Sequence, residues 1–261
     1  MSSLKDSLPQ LVQGVKSPSE FNLALALALG LVANSDPEVK FGHCPDAGVI
    51  ETDVWELGKT IPEYVFPDLA GEVVNIRSTL ADTQTIMVNG LDEFGIEKDV
   101  PVVLTGTTPV VLSGLWQAVN RAYNISNTRL LGDVIIDGNV SGNTFAFINH
   151  REQQTTQSIY MSPSDKYAVV LNISSSMNNS TNQDASAIVK MQVAEPNQVF
   201  RTKLIYGLQK RGTSNISTDL VVSGTFPPST RIKISITPDS ADMDVSAEFS
   251  MVLVDKESVK I

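Results

Sequence analysis

The segment from Ile86 to Tyr123 constrains the fold more than any other part of the sequence. Within it, apolar and polar residues alternate in short runs that are separated by Gly, Asp and Pro. Ile86 and Val88 point to one side of an extended chain, and after a turn at Gly90–Gly95 the alternation continues to Leu104. A period of two is typical of strands with one buried face. The segment therefore predicts an antiparallel strand pair.

The second half of the chain follows the same pattern. Its candidate strands are Tyr167–Ile173, Ala187–Val193 and Val199–Tyr206. Between the first two, the polar segment Ser174–Ser186 lacks any periodicity, which predicts an exposed and mobile loop. Arg231–Thr237 and Val245–Leu253 both alternate and are separated by a turn, which predicts a hairpin. Many short strands with regularly spaced turns indicate a mainly β fold with antiparallel β-sandwich or jelly-roll-like lobes.

The N-terminal region is the exception, because it predicts a short helix. Ser17-Pro18-Ser19-Glu20 has the form of a capping box, and the run after it is rich in Leu and Ala, which are strong helix formers. The leucines alternate strictly, which taken alone would favour a strand, but the cap and the Ala partners favour a helix. A helix that is apolar all round requires burial, so it either packs against a neighbouring subunit or lies under the β core. The candidate inter-subunit contacts are Leu23, Leu25, Leu27, Leu29 and Leu31.

The distribution of turns divides the 261 residues into an arm and two lobes. The N-terminal helix and an extended arm occupy residues 1–70, the first β-sandwich lobe residues 71–150, and the second residues 151–261. A chain of this length could also form one large β domain. Residues 36–67 contain scattered Pro and Gly and are predicted to be irregular. Trp116–Tyr123 fits either a strand or one short helical turn.

The charge balance and the single cysteine exclude several classes of protein. The formal net charge is −10, which opposes non-specific binding to nucleic acid or to an anionic membrane. Because Cys44 is the only cysteine, the chain forms no internal disulfide and fits a reducing cytosol. The longest apolar run, Phe21–Ala33, is shorter than the ~20 residues that cross a bilayer, and we expect neither a membrane span nor a signal peptide.

No segment has the spacing of a catalytic or cofactor-binding motif. His43, Cys44 and Asp46 are close in sequence, but a zinc site needs further paired ligands. The acidic turn Asp239–Asp244 does not match a twelve-residue calcium loop. Adjacent carboxylates such as Asp92 and Glu93 are explained as turn residues. We therefore predict no enzymatic activity, no cofactor and no metal ion.

Five residues between positions 55 and 123 are predicted to belong to the structural core. Trp55, Trp116 and Tyr123 are expected to fill the core, although exposed aromatic residues of this kind could instead form a binding patch. Asn120 and Arg121 interrupt an apolar segment, and we expect this polar pair to be buried and hydrogen-bonded.

Several short segments resemble a family of virion structural proteins from tailed bacteriophages, especially marine and aquatic ones. The similar segments are Phe41-Gly42 with Pro45-Asp46, Thr52–Trp55, Val88–Asp92, Val102–Val110, Val119–Tyr123, Phe226–Pro228 and Asp244–Asp255. They extend as separate islands from Phe41 to Asp255 and consist of common strand and turn residues. The N-terminal helix and Ser174–Ser186 have no counterpart in the family.

The resemblance implies a virion protein that is made in the host cytoplasm and has no catalytic residues. It implies either a decoration or cement protein on the capsid surface or a tail-associated, fibre-like protein of host attachment. The expected partners are further copies of the chain, in a homotrimer or another symmetric oligomer, and major capsid or tail proteins. Neither nucleic acid nor a membrane is expected as a partner.

Overall fold

The computed structural model describes residues 33–179, 184–210 and 216–258, and for residues 179 and 216–223 it describes the backbone alone. The described chain is almost entirely antiparallel β-structure, which confirms the predicted fold class. The N-terminal helix and its five leucines lie outside the described residues. The strands are β1 Ser35–Ala47, β2 Thr52–Asp53, β3 Val74–Ser78, β4 Thr85–Asp92, β5 Glu97–Val103, β6 Val110–Val111, β7 Trp116–Asn124, β8 Val134–Gly138, β9 Thr144–Ile148, β10 Ile159–Met161, β11 Lys166–Asn179, β12 Ala185–Ala194, β13 Arg201–Lys210, β14 Ile216–Phe226, β15 Arg231–Pro238 and β16 Met243–Asp255, and a 3₁₀ turn follows at Lys256–Ser258.

Strands β3 to β9 form a sandwich that we call the first lobe. One sheet has the order β6-β3-β8-β9 and the other the order β5-β4-β7. The predicted strand pair is present, because β4 pairs with β5 in antiparallel register from Thr85–Val103 to Leu91–Glu97. Trp116–Tyr123 belongs to β7, which pairs with the other edge of β4. The buried faces of both sheets share one apolar core, to which Ile86 and Trp116 belong.

The remaining strands, β1, β2 and β10 to β16, form the second lobe. Its sheets have the orders β1-β16-β11-β14 and β10-β15-β12-β13, and β2 adds to β15. Alternate residues of these strands face inward and build a second apolar core, which includes Phe249 and Met251. The first lobe is thus inserted between β2 and β10 of the second. The second lobe therefore combines two strands that precede the first lobe in sequence with seven that follow it.

Strand β1 corrects the prediction that residues 36–67 are irregular. It pairs with β16 from Ser35–Val254 to Ala47–Met243, with one irregularity between Cys44 and Ala47. Pro37 and Pro45 are tolerated because β1 is an edge strand and bonds to β16 alone within its sheet. The part of the predicted arm from residue 35 to residue 47 is therefore sheet.

Two further predictions about the second half are wrong. The strands β15 and β16 exist, but they do not form a hairpin, since β15 pairs with β12 and β16 pairs with β11 and β1 in the opposite sheet. The turn between them crosses from one sheet to the other. The segment Ser174–Ser186 is not a loop throughout, because β11 continues to Asn179 and β12 begins at Ala185.

Candidate functional site

The contact between the two lobes contains the polar pair that the sequence indicated. Asn120 of β7 donates a hydrogen bond from Nδ2 to the carbonyl oxygen of Met161 in β10, at 3.0 Å. Its Oδ1 accepts the backbone N–H of the same residue, also at 3.0 Å. Asn120 is 7% exposed and Met161 is fully buried. One side chain therefore satisfies both backbone groups of a residue in the other lobe, where water has no access.

A buried lysine completes this contact from the second lobe. The Nζ of Lys40 in β1 donates a hydrogen bond to the carbonyl oxygen of Asn120 and lies 5.9 Å from the centre of the Tyr160 ring. Burial, and then the charge of Arg121, lower the pKa of Lys40 to about 7, while Glu38 opposes this shift. Burial of a charged ammonium group raises the free energy of the folded state. Here a backbone acceptor and an aromatic face offset part of this penalty.

Ion pairs surround the buried contact at its rim. Arg121 donates a hydrogen bond from Nη2 to the carbonyl oxygen of Val39 at 2.9 Å and lies 3.7 Å from a carboxylate oxygen of Glu38. Lys166 of the second lobe contacts Glu97 of the first at 3.4 Å. These side chains are partly exposed, so each pair contributes at most about 1 kcal/mol. They orient the lobes more than they stabilise them.

An aromatic cluster forms a second connection between the lobes. Trp55 and Tyr64 pack edge to face with ring centres 5.3 Å apart, and Tyr64 and Phe66 do so at 4.9 Å. The hydroxyl of Tyr64 donates a hydrogen bond of 2.8 Å to the carbonyl oxygen of Phe145, in the core of the first lobe. The Nε1 of Trp55 donates a hydrogen bond of 3.0 Å to the carbonyl oxygen of Ile61. The lobes are therefore joined by polar and apolar contacts together.

The structure does not bring the five predicted core residues into one site. Trp55 lies in the aromatic cluster, whereas Trp116 is fully buried within the first lobe, with Lys98 Nζ 3.8 Å from its ring centre. Asn120, Arg121 and Tyr123 all lie on β7, where Asn120 is buried and Arg121 is half-buried. Tyr123 is half-buried and forms an isolated bridge with Gln154.

A buried ion pair in the second lobe was missed from the sequence. Lys233 of β15 and Asp53 of β2 lie 2.8 Å apart, and both are almost fully buried. Burial raises the pKa of Asp53, although the ammonium of Lys233 and the N–H of Tyr64 oppose the shift. The alternation of β15 places Lys233 on the face opposite Ile232 and Ile234 and so gave no sign that its side chain is buried. The two-residue strand β2 leaves no periodicity from which its partner could be found.

The described residues contain no metal-binding cluster, no helix that could span a membrane and no reactive thiol. Across 33–179, 184–210 and 216–258, no group of three or more His, Cys, Asp and Glu side chains is placed to hold a metal ion. In the same part of the chain, no helix has the length and apolar character needed to span a membrane. Burial raises the pKa of the Cys44 thiol to about 12, which keeps this thiol protonated and unreactive.

Comparisons with known proteins place few constraints on the chain. No protein family matches it, and no curated protein does. Among solved structures, it superposes on the infectious bursal disease virus Gx strain with a TM-score of 0.27 at 9% identity, covering 86% of this chain and 73% of the other. Broad bean stain virus gives a TM-score of 0.22 at 7% identity, with 74% and 90% covered. A lipoprotein of Bacteroides thetaiotaomicron gives 0.19 at 12%, with 81% and 98% covered. TM-scores this low do not establish a shared fold, so the contacts of the chain itself support the proposals below.

Proposed function

We propose that this protein is a non-enzymatic structural component of a bacteriophage virion that decorates or cements the capsid surface as a symmetric oligomer. The observation that carries the proposal is the junction between the lobes. Asn120, Lys40 and Tyr64 each bond across it to a backbone carbonyl of the other lobe. A protein held in one shape by buried bonds presents its surfaces at fixed distances, which is what repeated docking on a lattice requires.

Exposed apolar side chains at the loop tips provide contact points for such docking. Phe94 is 73% exposed at the turn between β4 and β5, and Val140 is 87% exposed at the turn between β8 and β9. Val199, before β13, is 76% exposed. Single exposed apolar residues are ordinary, but these lie at the tips of both lobes, where contact with a neighbouring subunit needs little rearrangement.

The apolar segment before β1 is the expected contact between subunits. Each leucine from Leu23 to Leu31 would contribute about 1.5–3 kcal/mol on full burial, before the loss of chain entropy. In a symmetric oligomer, engagement of one subunit raises the effective concentration of the next at its own site. Weak individual contacts would then give stable attachment to capsid proteins.

The test compares two charge variants of the full chain. Leu25→Asp combined with Leu29→Asp should abolish the oligomer in analytical ultracentrifugation and the binding to purified particles lacking the protein. The control is Ser3→Asp combined with Ser7→Asp, which adds the same charge outside the apolar run. Both variants should keep the far-ultraviolet circular dichroism spectrum of the parent, which shows that each subunit still folds. If the leucine variant oligomerises and binds particles as the control does, the proposed contact is refuted.

The second candidate is a tail-associated or fibre-like protein of host attachment. It is favoured by an open cleft on the outer face of β1, β16 and β11, since a receptor-binding protein needs an exposed recessed surface. The copy number per particle separates the two candidates. Hundreds of copies on the head support decoration, whereas a few dozen or fewer on the tail support attachment.

A further inference from the structure

The cleft in the second lobe has a floor built from two rows of side chains in register. In one row, Phe41 of β1 lies beside Glu248 of β16, which lies beside Ser174 of β11. The other row joins His43, Ser246 and Ser176 in the same way. All six belong to the outward faces of these strands. Because residues two apart in a strand share a face, the six side chains form one continuous patch.

The segment after β9 raises a wall beside this patch. Glu152 and Thr156 line the cleft together with the six floor residues, and the cavity has a volume of about 500 Å³. That is the range of sites for small molecules. No Lys or Arg is among the described residues that line it.

One ring in the cleft, the imidazole of His43, lies next to a carboxylate. His43 Nδ1 lies 3.5 Å from a carboxylate oxygen of Glu56. Glu56 in turn accepts hydrogen bonds from Asn149 Nδ2 at 2.8 Å and from Thr156 Oγ1 at 3.2 Å. Because Glu56 engages Nδ1, the second ring nitrogen is directed away from it. The imidazole is therefore positioned by a network that does not itself depend on a ligand.

The lining groups match the surface of a sugar ring. Ser174, Ser176 and Ser246 each offer a hydroxyl that can donate or accept, and Glu248 offers a carboxylate that only accepts. Phe41 adds an apolar ring face that can pack against the C–H groups of a sugar. A pyranose presents hydroxyl groups at its edge and C–H groups on its faces, so this mixture of groups is complementary to it.

The charges around the cleft restrict the kind of sugar. Glu56, followed by the charges of Asp244 and Glu152, raises the pKa of His43. The negative groups that face His43 thus come from three different segments, and Glu248 adds another on the floor. A ligand with its own carboxylate or sulfate would be repelled.

We propose that this cleft binds a neutral saccharide. The Phe41 ring packs on a sugar face, while the serine hydroxyls, His43 and Glu248 bond to sugar hydroxyls. The inference goes beyond the assembly role and holds for a protein on the head or on the tail. Binding of sugar and attachment to particles use different surfaces, so that either can fail without the other.

The test measures binding of the full-length protein to defined oligosaccharides by isothermal titration calorimetry. The probes are neutral trisaccharides of glucose, galactose, mannose and N-acetylglucosamine, together with a trigalacturonate. At least one neutral probe should bind, and the trigalacturonate should bind at least tenfold more weakly. Absence of binding by every neutral probe at millimolar concentration, or tighter binding of the trigalacturonate, would overturn the proposal.

Variants locate the binding in the cleft. Phe41→Ala and Ser246→Ala should each weaken binding about tenfold or more, equivalent to about 1.4 kcal/mol. The matched control, Val39→Ala, lies on the same strand and the same face but outside the lining, and its affinity should equal that of the parent. Glu248→Gln removes a charge from an exposed position and should reduce the discrimination against the trigalacturonate. Unchanged affinity in both Phe41→Ala and Ser246→Ala would overturn the proposal.

Discussion

Replacement of Asn120 by alanine tests whether the junction between the lobes makes the protein one mechanical unit. The substitution removes both hydrogen bonds to Met161 and leaves its N–H and its carbonyl without partners. Each unsatisfied buried group costs about 1–3 kcal/mol. Since Met161 is fully buried, solvent cannot replace the lost bonds. We expect the free energy of unfolding to fall by about 2–6 kcal/mol.

The two tryptophans allow the lobes to be followed separately. Trp116 reports the core of the first lobe, and Trp55 the aromatic cluster that joins it to the second. Urea unfolding of variants that retain a single tryptophan should give coincident transitions in the parent, because the shared contact couples the lobes. In the Asn120→Ala background the two transitions should separate.

The control is Asn89→Ala on the neighbouring strand β4. Asn89 bonds to Asp99 at an exposed position, so its loss should change the free energy of unfolding by at most about 0.5 kcal/mol. A loss for Asn120→Ala that is as small as for Asn89→Ala, with transitions that still coincide, would refute the view that this side chain holds the lobes together.

Three further predictions concern buried groups and close backbone contacts. Because burial lowers the pKa of Lys40 to about 7 from 10.5, the unfolded chain holds one more proton than the folded protein between these values. The free energy of unfolding should then rise between about pH 7 and pH 9, by up to about 1.4 kcal/mol per pH unit. Urea titrations of Lys40→Met should lack this rise. If the free energy of unfolding of Lys40→Met rises with pH as steeply as that of the parent, the explanation is contradicted. Gly90→Ala places a Cβ 2.1 Å from the carbonyl oxygen of Ala118 on the neighbouring strand and should lower the free energy of unfolding by about 1–3 kcal/mol. The control Gly48→Ala, with nothing within 4 Å of its Cβ, should unfold as the parent does. Similar melting temperatures for the two variants would argue against the clash. Asp53→Leu leaves the ammonium of Lys233 buried alone and should cost about 3–5 kcal/mol, most of which the double variant with Lys233→Met should recover; additive losses in calorimetry would exclude the coupling.

The strands that were predicted correctly are those whose burial follows a local rule. Thr85–Asp92 alternates between half-buried and buried residues from Thr85 to Gly90, because one face of β4 covers the core of the first lobe. The same rule located β15 and β16, but it does not identify the partner of a strand. Adjacent runs in sequence were therefore assigned to a hairpin, whereas the turn between them crosses from one sheet to the other.

Composition misled the prediction where a strand carries loop residues. Ser174 and Ser176 face outward on β11 while Ile173 and Met177 face the core, so only alternate positions carry the apolar signal. In β1, the two prolines masked a strand that an edge position tolerates.

The contacts between the lobes were only partly predictable. The polar pair on β7 was indicated because it interrupts an apolar run. Its partners Lys40 and Met161 lie 80 and 41 residues away, and no local pattern encodes such a distance. The cleft is also hidden in the sequence, since its floor combines three strands that meet only after folding.

The pairing of β1 with β16 sets the order in which the two lobes can fold during synthesis. Ser35 pairs with Val254, so on the ribosome the sheet that contains β1 stays open along one side until the residues of β16 have emerged. The inserted lobe needs only residues between Val74 and Ile148 for its sheets and can close long before. During part of its synthesis, the nascent chain therefore carries a folded first lobe and an incomplete second lobe. The unpaired edge of the incomplete sheet is where premature association between nascent chains would begin.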